Sequence, residues 1–481
     1  MRRRSNLTRL GLTIAIACAI ALTATSPVAP ASPRQTRPNI LVVMTDDQAL
    51  GDMRVMAATR RLLGSQGTTF DNSIVSFSQC CPSRATFLSG QYPHNHHVLA
   101  NTPPFGGYAK FDNRNSLAVW LRRAGYYTAL VGKYLNGYGE RNPRQVPPGW
   151  SSWNGSVDRS TYHYYRTTIN RNGRLFTTGT GPASYQTDVY SRLAASIIRA
   201  RAPSPQPFFL WVTPLAPHSI DPEGTRVPGI RSPVPAPRDR GHFSRLALPM
   251  PPSFNEADVS DKPLDIREAP PLSSTMIAQI RANYQRRLES LLDVDRLVGR
   301  LVATLRATGE IGRTLIIFTS DNGFFNGEHR IPEGKHLVYE PSIRVPLILR
   351  GPGIPRGAHR GQLVANIDLA PTIAQAARAR PGRLMDGISL LPLARSPRVR
   401  PGRTIEIQDA PDNDIKEQFT AVRTPDFLYA EYRIGDRELY DLRRDPFELQ
   451  NRAGDPSYGA IQAGLAARLA VLRSCRGMGC R

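Results

Sequence analysis

Short apolar runs that stop abruptly at polar turns recur along this chain, and they set its expected architecture. Residues 39–44 (NILVVM), 208–213 (FFLWVT) and 314–319 (TLIIFT) are almost continuously apolar, without the alternation of a half-exposed strand. A strand of that kind is buried on both faces, as in the middle of a parallel sheet. Residues 127–131 (YTALV) and 345–349 (VPLIL) read as further strands, and 115–124 as a helix. Ile277, Ile280, Tyr284, Leu288, Leu291, Val298, Leu301 and Leu305 recur at three- and four-residue spacing, which predicts a long helix devoted to core packing. Residues 222–272 are rich in Pro and Arg with little periodicity and read as a long surface loop beside a cleft.

Beyond an Arg/Pro linker at 395–403, strand-like runs at 404–408, 419–423, 427–433 and 438–442 precede a helix near 457–473. The expected organisation is therefore an α/β catalytic domain over 37–395 and a small α+β subdomain with antiparallel strands over 403–481. The large domain is expected to be built on a mostly parallel central sheet flanked by helices.

The polar turns carry the chemistry. The first run ends in Thr45-Asp46-Asp47 and the 314–319 run in Ser320-Asp321-Asn322-Gly323, so carboxylates and an amide stand at strand carboxyl ends, where open α/β sheets bind ligands. An oxygen-rich set suits Ca²⁺ or Mg²⁺ better than zinc; singly, each stretch is also ordinary turn composition. In residues 76–98 (SFSQCCPSRATFLSGQYPHNHHV), Pro82 fits the first position of a helix and Gly90 its C-terminal stop. Cys80 is then expected just outside a helix N-terminus that attracts anions, with Arg84 adding a forked cation. Read without a family, Cys80 and Cys81 also fit a vicinal disulfide or a pair of small buried hydrophobes.

CCPSRATFLSG resembles the hallmark of the type I sulfatases of the alkaline phosphatase superfamily, Cys-x-Pro-Ser-Arg followed by Thr-Gly, with Ser89 in place of Thr. The resemblance implies that superfamily's sandwich fold and oxidation of Cys80, rather than Cys81, to formylglycine by a formylglycine-generating enzyme. It also implies a calcium ion, magnesium being the alternative, held by Asp46, Asp47, Asp321, Asn322 and the residue at position 80. Many sulfatases carry Gly-Lys-x-His after the next strand; here Lys133 matches and Leu135 stands where the histidine belongs. Gly132-Lys133-Tyr134-Leu135-Asn136, His94-Asn95-His96-His97 and Pro147-Pro148-Gly149-Trp150 resemble the branch holding the N-acetylglucosamine-6-sulfatases and the heparan sulfate 6-endosulfatases. His218, after the 208–213 strand, resembles the family's second catalytic histidine, and Lys335 its second sulfate-binding lysine. His329 and His336 have no counterpart.

Implied is hydrolysis of a carbohydrate sulfate by a formylglycine hydrate, with Arg84, Lys133 and Lys335 on the sulfate and His218 protonating the departing sugar. The competing readings are a phosphodiesterase or phosphonate monoester hydrolase, an aryl sulfatase, and an inactive protein that only binds sulfated glycans. The resemblance runs from about residue 37 to the C-terminus.

Composition refines this picture. Residues 1–31 read as a secretory signal, with Arg2, Arg3, Arg4 and Arg9 before an apolar segment and Ala29-Pro30-Ala31 as cleavage site. Ala15-Ile16-Ala17 before Cys18 is a poor lipidation box, and no other run is long enough to span a bilayer, so an exported protein without a membrane anchor is expected. Cys475 and Cys480 fit a small loop disulfide, with pairing of the tail to the other two cysteines as the competing arithmetic. The formal charge of +23 is carried by arginines spread along the whole chain with no basic run interleaved with aromatics, which argues against nucleic acid. Lysine occurs only at 110, 133, 262, 335 and 416.

Overall fold

The computed structural model describes residues 37–220, 230–411 and 417–481; the expected signal segment lies outside them. Its strands are β1 (Asn39–Thr45), β2 (Thr68–Phe70), β3 (Ser73–Ile74), β4 (Tyr127–Gly132), β5 (Ser152–Ser156), β6 (Thr168–Arg171), β7 (Arg174–Thr177), β8 (Phe208–Thr213), β9 (Thr314–Ser320), β10 (Leu347–Arg350), β11 (Ala358–Arg360), β12 (Val364–Ala365), β13 (Ile405–Gln408), β14 (Phe419–Arg423), β15 (Phe427–Tyr432) and β16 (Arg437–Asp441). Ten of them form one mixed sheet in the order β11-β2-β10-β9-β1-β8-β4-β5-β6-β7. Its centre, β9-β1-β8-β4-β5, is parallel throughout.

The apolar runs are central because they feed two cores at once. Ile40, Val42 and Met44 of β1 join one apolar cluster, while Leu41 and Val43 join another on the opposite face. The helices Cys80–Ser89, Leu117–Arg123 and Leu369–Ala377 cover the first face; Gln186–Arg201 and the long helix Ser274–Ala307 cover the second. β13 to β16 form a separate antiparallel sheet that shares a third cluster with the helix Gly459–Leu472. This is the expected α/β class, with the small antiparallel sheet at the C-terminal end.

Three local expectations need correction. The helix after Ser76 starts at Cys80 itself, with extended Gln79 as N-cap, so Cys80 lies in the first turn and Pro82 at its third position. Proline is tolerated there because the first N–H groups of a helix have no intrahelical acceptor. Gly90 does close it, in the left-handed region at φ 68°. The strand expected at 345–349 begins at Leu347, since Pro346 has no N–H to give a ladder. Within 222–272, the described part from 230 is not merely a surface loop: Ile230, Ala236 and Leu248 are buried in the second core, and Leu264–Glu268 is helical. Residues 221–229 lie outside the described residues.

Candidate active site

Four adjacent parallel strands deliver the site. Thr45 pairs with Ser320 and Gly132 with Thr213, so β1, β9, β8 and β4 end near one edge of the sheet. The residues that follow are Asp46 and Asp47, Asp321 and Asn322, the turn to His218, and Lys133. Gly132 has to be glycine: its φ is 116°, and a Cβ there would meet the Thr213 carbonyl oxygen at 2.2 Å. The Cys80 helix docks its first turn on these strand ends. Ser83 Oγ donates to the Asp321 carbonyl at 2.5 Å, and Asn366 Nδ2 donates to that same hydroxyl at 2.9 Å.

All nine residues singled out from the sequence converge here. Cys80 Sγ lies 3.4 Å from Asp46 Oδ1 and 4.0 Å from Asp47 Oδ1, and Lys335 Nζ is 2.9 Å from the sulfur. Arg84, fully buried, donates from Nε to Asp321 Oδ2 at 2.8 Å and from Nη2 to Asp46 Oδ2 at 3.2 Å. Lys133 Nζ sits 2.5 Å from Asp46 Oδ2, and Lys335 pairs with Asp47. Three carboxylates thus face three permanent cations, a balanced set in a region from which water is largely excluded.

That balance decides the protonation states. Burial raises the carboxyl groups of Asp46 and Asp47, but Lys133 at the first and Lys335 at the second outweigh it, and both are held below the usual carboxylate range. Asp321 goes the other way, raised by burial and by Asp46 against the pull of Arg84. The Cys80 thiol is pushed up to about 12 by burial and by Asp46, so as a plain cysteine it is a poor nucleophile. His218 is lowered by burial against the pull of Asp47. Its Nδ1 donates to the Ser219 carbonyl at 2.5 Å, which in the neutral ring leaves the lone pair on Nε2, 3.6 Å from Asp47 Oδ2.

The carboxylates of Asp46 and Asp47 and the amide oxygen of Asn322 suit a hard divalent cation. One ligand atom each from Asp46, Asp47, Cys80 and His218 lies within 4.8 Å of the others. Asn322 Nδ2 donates to Asp47 Oδ1 at 2.8 Å, while its Oδ1 is buried with no hydrogen-bond partner among the described residues. A buried, unpartnered amide oxygen beside two ionised carboxylates is a donor of the kind a hard cation takes. Asp321 stands beside them, accepting the Asp47 N–H on Oδ1 at 3.1 Å.

Other residues have structural duties. His329 Nδ1 bonds Glu256 Oε2 at 2.7 Å and its ring stacks on Tyr339, away from the cluster. His94 and Asn95 bond the Cys475 carbonyl, and His96 bonds Thr86 Oγ1. The tail disulfide joins Cys475 to Cys480, leaving Cys80 and Cys81 as free buried thiols, so the cross-pairing arithmetic is excluded. Leu135 is buried in the apolar core.

Two site residues were not read from the sequence. Arg287, on the long helix, donates to the carbonyl oxygens of Asp47 and, at 3.2 Å, Pro217, with Phe324 against its face. The signal was available: Arg287 stands three residues after Tyr284 and four before Leu291, inside the apolar stripe, where a charge needs partners. Tyr162 ends a 3₁₀ turn, Ser160–Tyr162, in a stretch without periodicity, and nothing in its sequence context marks it.

Comparison with known proteins places this geometry. The sequence model of the family described as Sulfatase matches residues 38–379, and one described as N-sulphoglucosamine sulphohydrolase, C-terminal, matches 327–475. An N-acetylglucosamine-6-sulfatase of Homo sapiens is 33% identical over 92% of this chain and 86% of its own length. An arylsulfatase of Volvox carteri is 33% identical, covering 92% of this chain and 76% of its own. A protein solved in complex with its substrate D-glucosamine-2-N,6-O-disulfate shares the fold at TM-score 0.74 and 23% identity, over 90% of this chain and 97% of that one. A phosphonate monoester hydrolase of Agrobacterium radiobacter shares it at TM-score 0.65 and 24% identity, over 91% and 95%.

Proposed function

The chain belongs to the sulfatase family of sulfuric ester hydrolases, and from that premise we propose an exported enzyme that hydrolyses 6-O-sulfated glucosamine units of a glycan. The observation that carries the reading is the seat of Cys80: its sulfur lies 3.4 Å from Asp46 and 2.9 Å from Lys335, where four strand ends and a helix start meet. The substrate class is supported by the N-acetylglucosamine-6-sulfatase relatives. Residues 37–395 form the catalytic domain in this reading and 403–481 a subdomain packed on it, with a signal at 1–31.

Position 80, matured to formylglycine by a formylglycine-generating enzyme, supplies as its hydrate a nucleophile that can let sulfate go after accepting it. Asp46, Asp47, Asp321, Asn322 and the residue at 80 would hold a calcium ion, or magnesium in its place, which would supply positive charge to the sulfate oxygens. Arg84 is locked by Asp321 and Asp46 and stays a fixed cation at the helix start. Lys133 and Lys335 bind the remaining sulfate oxygens as point charges. His218 takes up a proton at Nε2 and delivers it to the departing sugar oxygen, help worth roughly 10²–10⁴ in rate because a sugar hydroxyl is a poor leaving group.

The test is hydrolysis of N-acetylglucosamine 6-sulfate by the secreted protein, beside its Cys80→Ala variant, an aryl sulfate and an aryl phosphate diester. Sulfate release by the native chain alone supports the reading. An active Cys80→Ala protein, or preference for the phosphate diester, overturns it.

A further inference from the structure

Position 135, where relatives of the common sulfatase pattern carry histidine, is a leucine sunk in the core, so the side of the site facing Lys133 lacks that ring. Another ring occupies the neighbourhood. Lys133 Nζ lies 4.9 Å from the centroid of Tyr162, over its face, and the His218 imidazole centroid lies 5.1 Å from the same ring at 47°. Asn136, three residues after Lys133, donates from Nδ2 to Tyr162 Oη at 2.7 Å and pins the phenol. Tyr164, two residues on, donates to the carbonyl of His218 at 2.8 Å. One short turn therefore touches the sulfate-side lysine, the histidine and the loop that carries it.

We propose that Tyr162 is the positioning residue for His218: its ring, held against Lys133, seats the imidazole beside it on the side where the usual histidine is absent. The inference rests on the sulfatase reading above and adds to it which residue keeps the proton-delivering imidazole aimed. An aromatic face attracts an ammonium electrostatically, and it does so best where water is scarce, as around Lys133. With the Nδ1 bond to the Ser219 carbonyl, the same face holds the imidazole so that Nε2 looks toward Asp47. The hydroxyl is dispensable to this role, because Lys133 over the ring face holds the ring without the Asn136 bond.

The chemistry gives this role a signature that general loosening of the fold lacks. A residue that aims His218 matters when the leaving group needs a proton and matters little when it does not. Tyr162→Leu is therefore expected to lower kcat on N-acetylglucosamine 6-sulfate by about 100-fold, with KM within about threefold, and kcat on a nitrophenyl sulfate by less than about fivefold. Tyr162→Phe, which keeps the ring, is expected to stay within about threefold of the native enzyme on both. Should the Leu protein not fold, Tyr162→Met fills the volume without a ring and is held to the same expectation.

Native activity on the aryl sulfate establishes the sulfatase reading by itself, so its failure is distinguishable from failure of this inference. Equal losses on the two sulfates, or a Phe protein as impaired as the Leu protein, overturns the inference.

Discussion

Arg287 donates a hydrogen bond from Nη2 to the backbone carbonyl of Asp47, so a helix behind the sheet grips the turn that ends β1. Asp47 sits at φ 64°, in the left-handed region that side chains seldom adopt, and the grip helps hold it there. Lysine cannot reach both Asp47 and Pro217 with a planar fork. Arg287→Lys is expected to fold and to lose about 10–100-fold in kcat/KM, the usual cost of disturbing a residue behind a ligand of the kind proposed for Asp47. Arg287→Met leaves two buried carbonyls without a donor and is expected to cost about 1–3 kcal/mol for each in urea unfolding. Unchanged turnover in the Lys protein would reduce Arg287 to core packing.

Asn322 offers a test of the cation site that does not depend on turnover. Its Nδ2 holds Asp47 and its buried Oδ1 has no other partner among the described residues, so removing it takes away both a proposed ligand and a brace. Calorimetric titration of chelator-stripped protein with Ca²⁺ is expected to show affinity at least about tenfold weaker in Asn322→Ala than in the native chain. Addition of EDTA is expected to abolish sulfate release and added Ca²⁺ to restore it. Equal affinities in the two proteins would remove Asn322 from the ligand set.

The C-terminal disulfide is tied to the segment after the Cys80 helix. The Cys475 carbonyl accepts from Asn95 Nδ2 at 2.8 Å, and Asp386 accepts from the N–H groups of Gly477 and Tyr92, both at 2.7 Å. The bridge closes a loop of only five residues of separation, so its removal is expected to cost about 2 kcal/mol. Cys475→Ser with Cys480→Ser should lower the unfolding free energy by that amount while leaving kcat on an aryl sulfate unchanged below the transition. A fall in kcat at a temperature where the protein is fully folded would mean that the tail positions the site.

The elements that could be read from the chain are those whose burial is decided locally. β8 runs over the same six residues as the apolar stretch FFLWVT, because a strand buried on both faces needs no outside information. Asp46, Asp47, Asp321 and Asn322 were legible for the same reason: each follows such a strand directly. Residues 230–272 were not, since their conformation is fixed by distant bonds, among them Asn255 N–H to the Gly327 carbonyl and Leu272 N–H to Asn255 Oδ1. Tyr162 was invisible in the sequence because its importance is a matter of which rings it meets. The start of the Cys80 helix was misplaced by two residues because Pro82 is as acceptable at the third position as at the first.

Asp52 predicts a pH dependence of stability separate from catalysis. It is 2% exposed, in the 3₁₀ turn Leu50–Val55, and its Oδ2 is buried without a hydrogen-bond partner among the described residues. Burial pushes its carboxyl up to about 6, against the pull of Arg287 and a hydrogen bond at Ala49, from an ordinary value of 3.8. The folded protein therefore binds this proton more tightly than the unfolded chain, and stability falls as pH rises between those two values. Above about pH 6 the full cost is present, on the order of 2–3 kcal/mol. Asp52→Asn removes the charge but keeps the shape. Urea unfolding at pH 7.5 is expected to find the Asn protein more stable by about that amount, with the margin shrinking as pH drops and vanishing near pH 4. A margin that stayed constant from pH 4 to pH 8 would show that Asp52 does not change its proton occupancy on unfolding.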